Sequence, residues 1–291
     1  MIEGVLPALI TPFTKDDKID KQGLQQNIEY VIKGGVSGIV ACGTTGESAT
    51  LSIKEHEKVI DIAIDCSDVA VIAGTGSNNT SEAIELTKYS KDAGADASLL
   101  ITPYYNKPND RGMLEHFKAI SNKVDIPIIL YNVPSRTSIN LKPEIVSELA
   151  KESNIIGIKE ASGNFEQVTR ILELTQDEDF FILSGDDALT LPIMAIGGKG
   201  VISVVANVAP ELTVSMVNAI NRGKMEEARK LHLAMAPLIR SMFLETNPIP
   251  VKKAVELIGL HAGHLRLPLS PLSDENLEKL EAAMKDLNFI R

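Results

Sequence analysis

The sequence predicts an α/β protein that folds as one (β/α)8 TIM barrel with a C-terminal helical appendage. Three observations predict this fold. Eight short β-branched runs recur about every 30 residues, segments with helical spacing separate them, and only helical segments follow the eighth run. Strands that are apolar almost throughout are typical of a parallel sheet covered by helices, and eight such units form a barrel.

The predicted strands are apolar runs that end at glycine, proline or polar residues. In chain order they read GVLPALITP, SGIVACGT, VAVIAGTG, ADASLLITPYY, IPIILYNVP, IIGIKEAS, FFILSGDD and GVISVVANV. An open, doubly wound sheet is the alternative arrangement of alternating strands and helices. It is disfavoured because ITPFTKDD, and not a glycine-rich nucleotide-binding fingerprint, follows the first strand.

Helical spacing of apolar residues predicts ten helices. Those between strands cover residues 21–33, 53–65, 81–93, 112–124, 143–152 and 164–174, and those after the last strand cover 211–221, 225–243, 248–258 and 274–287. We therefore expect residues 1–224 to form the catalytic barrel and residues 225–291 to form a C-terminal helical region. The PLSP segment is expected to be a turn, with Ser273 and Asp274 supplying N-cap chemistry to the final helix.

Composition limits the classes of function. The chain has 291 residues, of which 44% are hydrophobic and 23% charged, and its formal net charge is -10. An acidic surface argues against nucleic acid as a partner, because phosphate backbones bind clustered Lys and Arg. No apolar run reaches the roughly 20 residues of a membrane helix, and the two cysteines have no paired spacing. We expect a cytoplasmic protein that acts on a small molecule.

Active sites of this fold lie at the C-terminal ends of the strands, where Lys159 closes the sixth run. Alternation along a strand places Lys159 on the same face as Gly157 and Ile155, pointing into the barrel mouth, where the glycine leaves space for the lysine stem or a ligand. Burial disfavours the charged amine and favours the neutral form that a Schiff-base nucleophile requires. An ion pair with Glu160 or Asp186 is the alternative role.

Two further strand ends, those of the second and fifth runs, carry polar residues that suit chemistry. Tyr131 alternates with Ile129 and can transfer a proton, or simply cap the barrel core. Thr44 and Thr45 lie in a glycine-bounded loop that can hold a small carboxylate, or form only a tight turn. The planar guanidinium of Arg136 can hold a carboxylate, or be solvated at the surface.

Other motifs are weaker candidates because of their position. The glycine-rich segment 197–200 precedes the eighth strand, at the end of the barrel opposite the active site, and is expected to be a turn. His261 and His264 lack an obvious third ligand, so no metal site and no cofactor are expected. Cys42 sits in an apolar strand and is expected to be a core residue.

The motifs GTTGES, TPYYN, YNVPSRT, GIKEASG, SGDD and GVISVVANV occur in this order and at these intervals. Together they resemble the dihydrodipicolinate synthase family of pyruvate-dependent aldolases, over nearly the whole chain. The resemblance implies that pyruvate forms a Schiff base with Lys159 and that the resulting enamine attacks aspartate 4-semialdehyde. Ring closure then yields 4-hydroxy-tetrahydrodipicolinate for lysine and diaminopimelate synthesis.

The resemblance also implies roles for individual residues. Tyr131 would donate and accept the proton, linked through Thr44 to Tyr105, which crosses into the neighbouring subunit of a homotetramer built as a dimer of dimers. The implied substrate-binding residues are Thr45 for the pyruvate carboxylate, the backbone of Ile202, Gly185 at the mouth and Arg136 for the carboxylate of the semialdehyde.

Two alternative functions are compatible with such a barrel. Aldolases of the N-acetylneuraminate lyase or 2-keto-3-deoxy sugar-acid type share the Schiff-base lysine and the tyrosine, but they generally lack the PSRT segment that carries Arg136. A barrel of this family could also be a binding or regulatory protein, which loss of a site residue would signal. All the motif positions are present, so the synthase is favoured.

A lysine feedback site is a further implication of the resemblance. The residues that fall where lysine-sensitive members bind lysine are Ser48, Ala49, Leu51, His56, Asn78, Glu82 and Tyr104. Glu82 could pair with an ammonium group. Ile53 stands where lysine-sensitive bacterial members often have histidine, so we expect weak or absent inhibition by lysine.

Overall fold

The computed structural model describes residues 2–291, in which eight parallel strands form one sheet. The strands are β1 (Gly4–Pro7), β2 (Gly38–Ala41), β3 (Ala70–Gly74), β4 (Ala97–Ile101), β5 (Ile128–Asn132), β6 (Ile155–Glu160), β7 (Phe181–Ser184) and β8 (Gly200–Ser203). Consecutive strands pair from β2 to β8, and β8 pairs with β1. The Leu9 N–H donates to the Val40 carbonyl at 3.0 Å, which brings β1 against β2 and nearly closes the sheet. The predicted (β/α)8 barrel is confirmed.

Helices connect the strands and follow the last one. Within residues 2–291 they are α1 (Lys21–Lys33), α2 (Ile53–Asp65), α3 (Thr80–Ala93), α4 (Asp110–Lys123), α5 (Pro134–Thr137), α6 (Pro143–Leu149), α7 (Phe165–Thr175), α8 (Thr190–Ala195), α9 (Pro210–Asn221), α10 (Met225–Ser241), α11 (Ile249–Leu257) and α12 (Asp274–Asp286). Five of them begin after a residue whose side chain accepts a hydrogen bond from the first turn: Asp20, Ser52, Asn79, Asn109 and Asn164.

All ten predicted helices are present, with ends that differ by at most three residues from the prediction. The sequence did not predict α5 and α8, because segments of four and six residues are too short to show helical periodicity. Ser273 does occupy the N-cap position of α12, but it makes no capping bond. Its hydroxyl donates instead to Glu245 Oε1 at 2.6 Å, so the N-cap chemistry expected of Ser273 is wrong.

The strands bury apolar side chains on both faces. The inner face holds a cluster that includes Leu6, Val40, Ile129 and Leu183, and these side chains are almost fully buried. The outer faces pack against the surrounding helices in two further clusters. Tyr131 belongs to the inner cluster, as its alternation with Ile129 predicts.

Strand β6 contains a bulge that changes one predicted side-chain direction. Ile128 pairs with Ile155, but the next residue of β5 pairs with Gly157, so Ile156 is an extra residue in β6. Ile155 therefore belongs to an outer cluster, while Ile156 packs against the inner one. The prediction that Ile155 shares a face with Lys159 is wrong, because alternation is interrupted before Gly157.

The last helices pack on one another beside the barrel. Helix α9 packs on β1, α10 packs on α9, and α12 packs on both α10 and α11. The loop between α10 and α11 reaches the C-terminal ends of the strands. Within residues 2–291, none of the helices has the length and apolar character needed to cross a membrane.

Candidate active site

A cavity of about 620 Å³ opens at the C-terminal ends of the strands. Its lining includes Thr44, Thr45, Tyr131, Arg136, Lys159, Gly185 and Asp186. Most of the polar residues predicted from strand ends thus come together around one space, although they are far apart in sequence. The cavity lies where barrel enzymes carry out their chemistry.

Lys159 stands opposite Tyr131 across the β5–β6 pair. The lysine is only 6% exposed, and its amine lies 4.2 Å from the centre of the Tyr131 ring. This contact places an amine and a phenol side by side in a shielded site, an arrangement that suits Schiff-base formation with proton transfer.

Neither carboxylate considered as an ion-pair partner neutralises Lys159. Within residues 2–291, no carboxylate oxygen lies within 4.0 Å of its amine. Glu160 is buried and accepts hydrogen bonds from Ser162 N–H at 2.7 Å and Asn132 Nδ2 at 3.0 Å. Burial raises the pKa of Glu160, and these hydrogen bonds oppose the rise. Glu160 therefore holds Asn132 and the loop after β6 in place, and its carboxylate does not form an ion pair with the lysine amine.

The glycine that makes room for Lys159 is Gly185, on the loop after β7. A methyl group at Gly185 would lie 3.0 Å from both Cγ and Cε of Lys159 and 2.7 Å from the Ala161 Cβ. Gly157 does not provide this space, because the Phe181 ring would lie 2.7 Å from a methyl group there. The expectation that Gly157 accommodates the lysine stem is therefore wrong.

The loop after β2 carries the two threonines in a short 3-10 turn, Thr44–Gly46. The N–H groups of Gly46 and Glu47 donate to the Gly43 and Thr44 carbonyls within this turn, so they are not free to bind a ligand. The loop is thus a tight turn that also faces the cavity. Thr45 is 2% exposed, and its hydroxyl accepts a hydrogen bond from Asn247 Nδ2 at 3.0 Å.

A buried ion pair holds this loop against the C-terminal region. Lys252 Nζ donates to Glu47 Oε1 at 2.7 Å, to the Thr11 carbonyl at 3.1 Å and to the His264 carbonyl at 2.6 Å. Glu47 Oε2 accepts from the Arg266 N–H at 3.0 Å. Burial lowers the pKa of Lys252, whereas the neighbouring Glu47 opposes this change. No pattern in the sequence indicated this pair, because its members are about 200 residues apart.

Arg136 lies on helix α5 at the rim of the cavity. Its side chain is exposed, but Nη2 donates to the Asn247 carbonyl at 2.8 Å. The guanidinium is thus held at the mouth and keeps other N–H groups for a ligand. It is not a freely solvated surface arginine.

Two predicted residues are not among those that line the cavity of the single chain. Tyr105 is 89% exposed, so its ring is almost uncovered by its own chain. Ile202 pairs with Leu6 of β1, and its side chain is buried in the inner cluster. The β7–β8 register ends at Val201, so the backbone of Ile202 lies just beyond that pairing.

The loop between α10 and α11 supplies cavity residues that the sequence did not single out: Phe243, Leu244, Glu245, Thr246 and Asn247. A search for polar residues at strand ends could not identify these residues, because no strand lies near them in sequence. The only available signal was a short polar break between two predicted helices, ahead of two prolines.

A second cavity of about 350 Å³ adjoins the first, with which it shares Thr44, Arg136, Thr246 and Asn247. Its lining includes the candidate feedback residues Ser48, Ala49, Leu51, His56, Glu82 and Tyr104, together with Ile53. Asn78 is not among its lining residues.

Two of the candidate feedback residues in the second cavity, His56 and Glu82, have hydrogen-bond partners. Burial lowers the pKa of His56, whose Nε2 lies 2.6 Å from the Gly74 carbonyl. Glu82 accepts a hydrogen bond from the Ser77 hydroxyl at 3.2 Å.

Comparison with known proteins agrees with this geometry. The family model described as the dihydrodipicolinate synthetase family matches residues 1–287. A 4-hydroxy-tetrahydrodipicolinate synthase of Methanosarcina mazei is 64% identical over 290 residues, which cover 100% of both chains.

Two solved structures have the same fold. The chloride-inhibited dihydrodipicolinate synthase of Acinetobacter baumannii complexed with pyruvate is 42% identical, with a TM-score of 0.97 and coverage of 100% of both chains. The enzyme of Cyanidioschyzon merolae with lysine bound is 39% identical, with a TM-score of 0.96 and coverage of 99% of both chains. This chain therefore belongs to the dihydrodipicolinate synthetase family.

Proposed function

We propose that this protein condenses pyruvate with L-aspartate 4-semialdehyde through a Schiff base on Lys159 and so forms 4-hydroxy-tetrahydrodipicolinate. The observation that carries the proposal is the buried Lys159 amine, 4.2 Å from the Tyr131 ring centre and without an ion-pair partner among residues 2–291. The product would serve lysine and diaminopimelate synthesis, in the cytoplasm.

In the proposed first step, the Lys159 amine attacks the keto carbon of pyruvate and water leaves. The iminium then draws electrons from the methyl group, which loses a proton to give an enamine. Tyr131, whose ring centre lies 4.2 Å from the lysine amine, would transfer protons at this centre. The enamine carbon attacks the aldehyde, after which the amine of the second substrate displaces Lys159 and closes the ring.

The two substrate carboxylates have separate candidate anchors. Thr45, with the backbone of Ile202, would hold the carboxylate of pyruvate. Arg136 is fixed at the mouth by the Asn247 carbonyl and would hold the carboxylate of the semialdehyde. Gly185, which has no side chain, would leave space beside the Lys159 stem for the two substrates.

Tyr105 would complete the site from a second subunit. Its ring is 89% exposed, and it would join Tyr131 and Thr44 in a proton relay within a dimer, two of which would form a homotetramer. Sedimentation would test the assembly. Adding an inactive Lys159→Met chain to an inactive Tyr105→Phe chain should restore activity if the tyrosine crosses between subunits.

We also propose that two parts of the chain have different roles. Residues 1–224 would form the catalytic barrel, and residues 225–291 would form a helical region that closes one side of its mouth. Support comes from residues Phe243 to Asn247, which line the larger cavity.

Trapping the Schiff base tests the function. Pyruvate and borohydride should add a reduced adduct to Lys159, located by peptide mapping, and the Lys159→Met variant should carry none. Absence of the adduct from the unmodified protein would contradict the central claim. Comparing aspartate 4-semialdehyde with N-acetylmannosamine and sugar-derived aldehydes would separate the synthase from the related aldolases.

Regulation by lysine is proposed to be weak or absent. Six of the seven candidate residues line the second cavity, where Glu82 offers a carboxylate to an ammonium group. Ile53, an apolar residue, lines the same cavity and offers no hydrogen bond to lysine. A tight feedback site would already be saturated at a lysine concentration of about 1 mM. We therefore expect turnover to change little at this concentration. Strong inhibition below that concentration would show this proposal to be wrong.

A further inference from the structure

Asn247 is buried at the point where the C-terminal region meets the active-site loop. It is 5% exposed and lines the larger cavity. Its Nδ2 donates to the Thr45 hydroxyl at 3.0 Å, and its backbone carbonyl accepts from Arg136 Nη2 at 2.8 Å. One residue thus contacts the candidate anchors of both substrate carboxylates.

The hydrogen bond from Asn247 determines what the Thr45 hydroxyl can still do. A hydroxyl has a single proton and two lone pairs. Since Asn247 Nδ2 donates to one lone pair, the hydroxyl proton must point away from Asn247. Thr45 lines the cavity, so this proton is free for a ligand oxygen there. A carboxylate is a strong acceptor for such a proton.

We propose that Asn247 is a positioning residue that orients the Thr45 hydroxyl as a hydrogen-bond donor to the carboxylate of pyruvate. The inference rests on the proposed function, because it takes pyruvate as the ligand. Asn247 does not touch the reacting atoms and acts through Thr45. Its backbone bond to Arg136 holds the second anchor in a fixed relation to the first.

The structure gives the Asn247 side-chain amide the orientation in which it donates to Thr45. In this orientation Oδ1 is a buried atom without a partner among the described residues, and Nδ2 makes one of its two possible hydrogen bonds. Turning the amide by a half-turn would let Oδ1 accept from Thr45 and would leave both Nδ2 protons unpaired. The Asn247→Asp variant distinguishes the two orientations, because aspartate can accept a proton from Thr45 but cannot donate one to it.

Asn247→Asp is the decisive variant, because aspartate has the same shape and replaces the donating NH2 by an accepting oxygen. The measurement is the pyruvate concentration that gives half-maximal borohydride-trapped adduct on Lys159, which needs no second substrate. We expect this concentration to rise about 10- to 100-fold, as for loss of a hydrogen bond to a charged group. If Asn247 accepted a proton from Thr45, aspartate would serve equally well and the value would hardly change, which would overturn the proposal.

Asn247→Asp also introduces a carboxylate that repels pyruvate. This repulsion has to be separated from the loss of orientation of the Thr45 hydroxyl. Asn247→Ala removes the donor without adding charge and should raise the half-saturating concentration by about threefold or more. In a Thr45→Val background, which has no hydroxyl to orient, Asn247→Ala should have almost no further effect. An equal effect of Asn247→Ala with and without the Thr45 hydroxyl would overturn the proposal. Asn218→Asp, an exposed substitution on α9 that adds the same charge, should leave the value unchanged.

Failure of the inference can be told from failure of the proposed function. If the unmodified protein forms no adduct with pyruvate, the function itself is wrong. If it forms the adduct and both Asn247 variants half-saturate at the same pyruvate concentration as the unmodified protein, only the role of Asn247 is wrong. A variant that melts earlier but keeps normal half-saturation would assign Asn247 a purely structural role and would also overturn the inference.

Discussion

Gly185→Ala adds one methyl group against the stem of the candidate nucleophile. The added Cβ would lie 3.0 Å from Cγ and Cε of Lys159 and 2.7 Å from the Cβ of Ala161. Carbon atoms reach favourable contact at about 3.5–4.0 Å. The methyl group is therefore too close by roughly 0.5 Å to the lysine and by roughly 0.8 Å to the alanine. Because the lysine stem is the more flexible neighbour, we expect the stem to move.

A displacement of this size is costly for a nucleophile. Misplacing a reacting group by about 1 Å can lower a rate by about 100-fold, so a shift of half to one ångström predicts a loss of about 10- to 100-fold in kcat. Overpacking should also cost about 1–3 kcal/mol of stability. Turnover with both substrates and the single-turnover rate of adduct formation on Lys159 would measure the effect, and thermal unfolding would show that the variant remains folded.

Gly43→Ala is the matched control, since it also lies on a loop at the cavity end of the barrel. Its φ is -76°, and a methyl group there would meet only Val40 Cγ1, at an ordinary distance of 3.8 Å. It should keep turnover within about threefold of the unmodified protein, because no atom has to move. The reasoning would be refuted if Gly185→Ala kept full activity, or if Gly43→Ala lost as much.

Three other contacts lead to tests by substitution. Tyr131→Phe should keep the melting temperature and lower turnover by roughly 100-fold or more, and unchanged turnover would remove the phenol from the mechanism. Lys252→Met should cost about 3–5 kcal/mol in urea unfolding because it leaves Glu47 buried without its cation, and adding Glu47→Gln should recover part of this loss. Arg266 lowers the pKa of Glu55 to about 2. After allowance for solvent screening, this pair should contribute about 1–2 kcal/mol above the ordinary pKa of 4.5 and lose it as pH falls towards 2. Glu55→Gln should flatten the loss of stability in that pH range, and an unchanged acid profile would contradict this.

Sequence patterns were sufficient for the barrel and for the direction of Lys159. Each strand is a run of apolar residues buried on both faces, and each predicted helix is long enough to show its period. The inward direction of Lys159 was correct although the strand contains a bulge. The extra residue, Ile156, precedes Gly157, so alternation is unbroken over the last four residues of β6.

The sequence of β6 alone could not predict which glycine accommodates Lys159. Gly157 is two residues from Lys159 in sequence, but the ring of Phe181 on the neighbouring strand fills its space. Gly185 follows β7, whose Leu183 pairs with Lys159. Contacts of this kind depend on the register and twist of two strands, and a sequence pattern within one strand does not contain that information.

The loop between α10 and α11 shows the same limit on a larger scale. Periodicity identified the helices on either side, and the loop itself was only a break between them. Its place at the barrel mouth depends on how α10 and α11 pack and on the buried bond from Lys252 to Glu47, about 200 residues away in the chain. Because Glu47 follows the two threonines and Lys252 follows Asn247 by five residues, the ion pair and the Asn247–Thr45 bond join the same two segments. The C-terminal region therefore completes the surroundings of the candidate nucleophile Lys159, and a variant that loosens that region should weaken pyruvate binding before it unfolds the barrel.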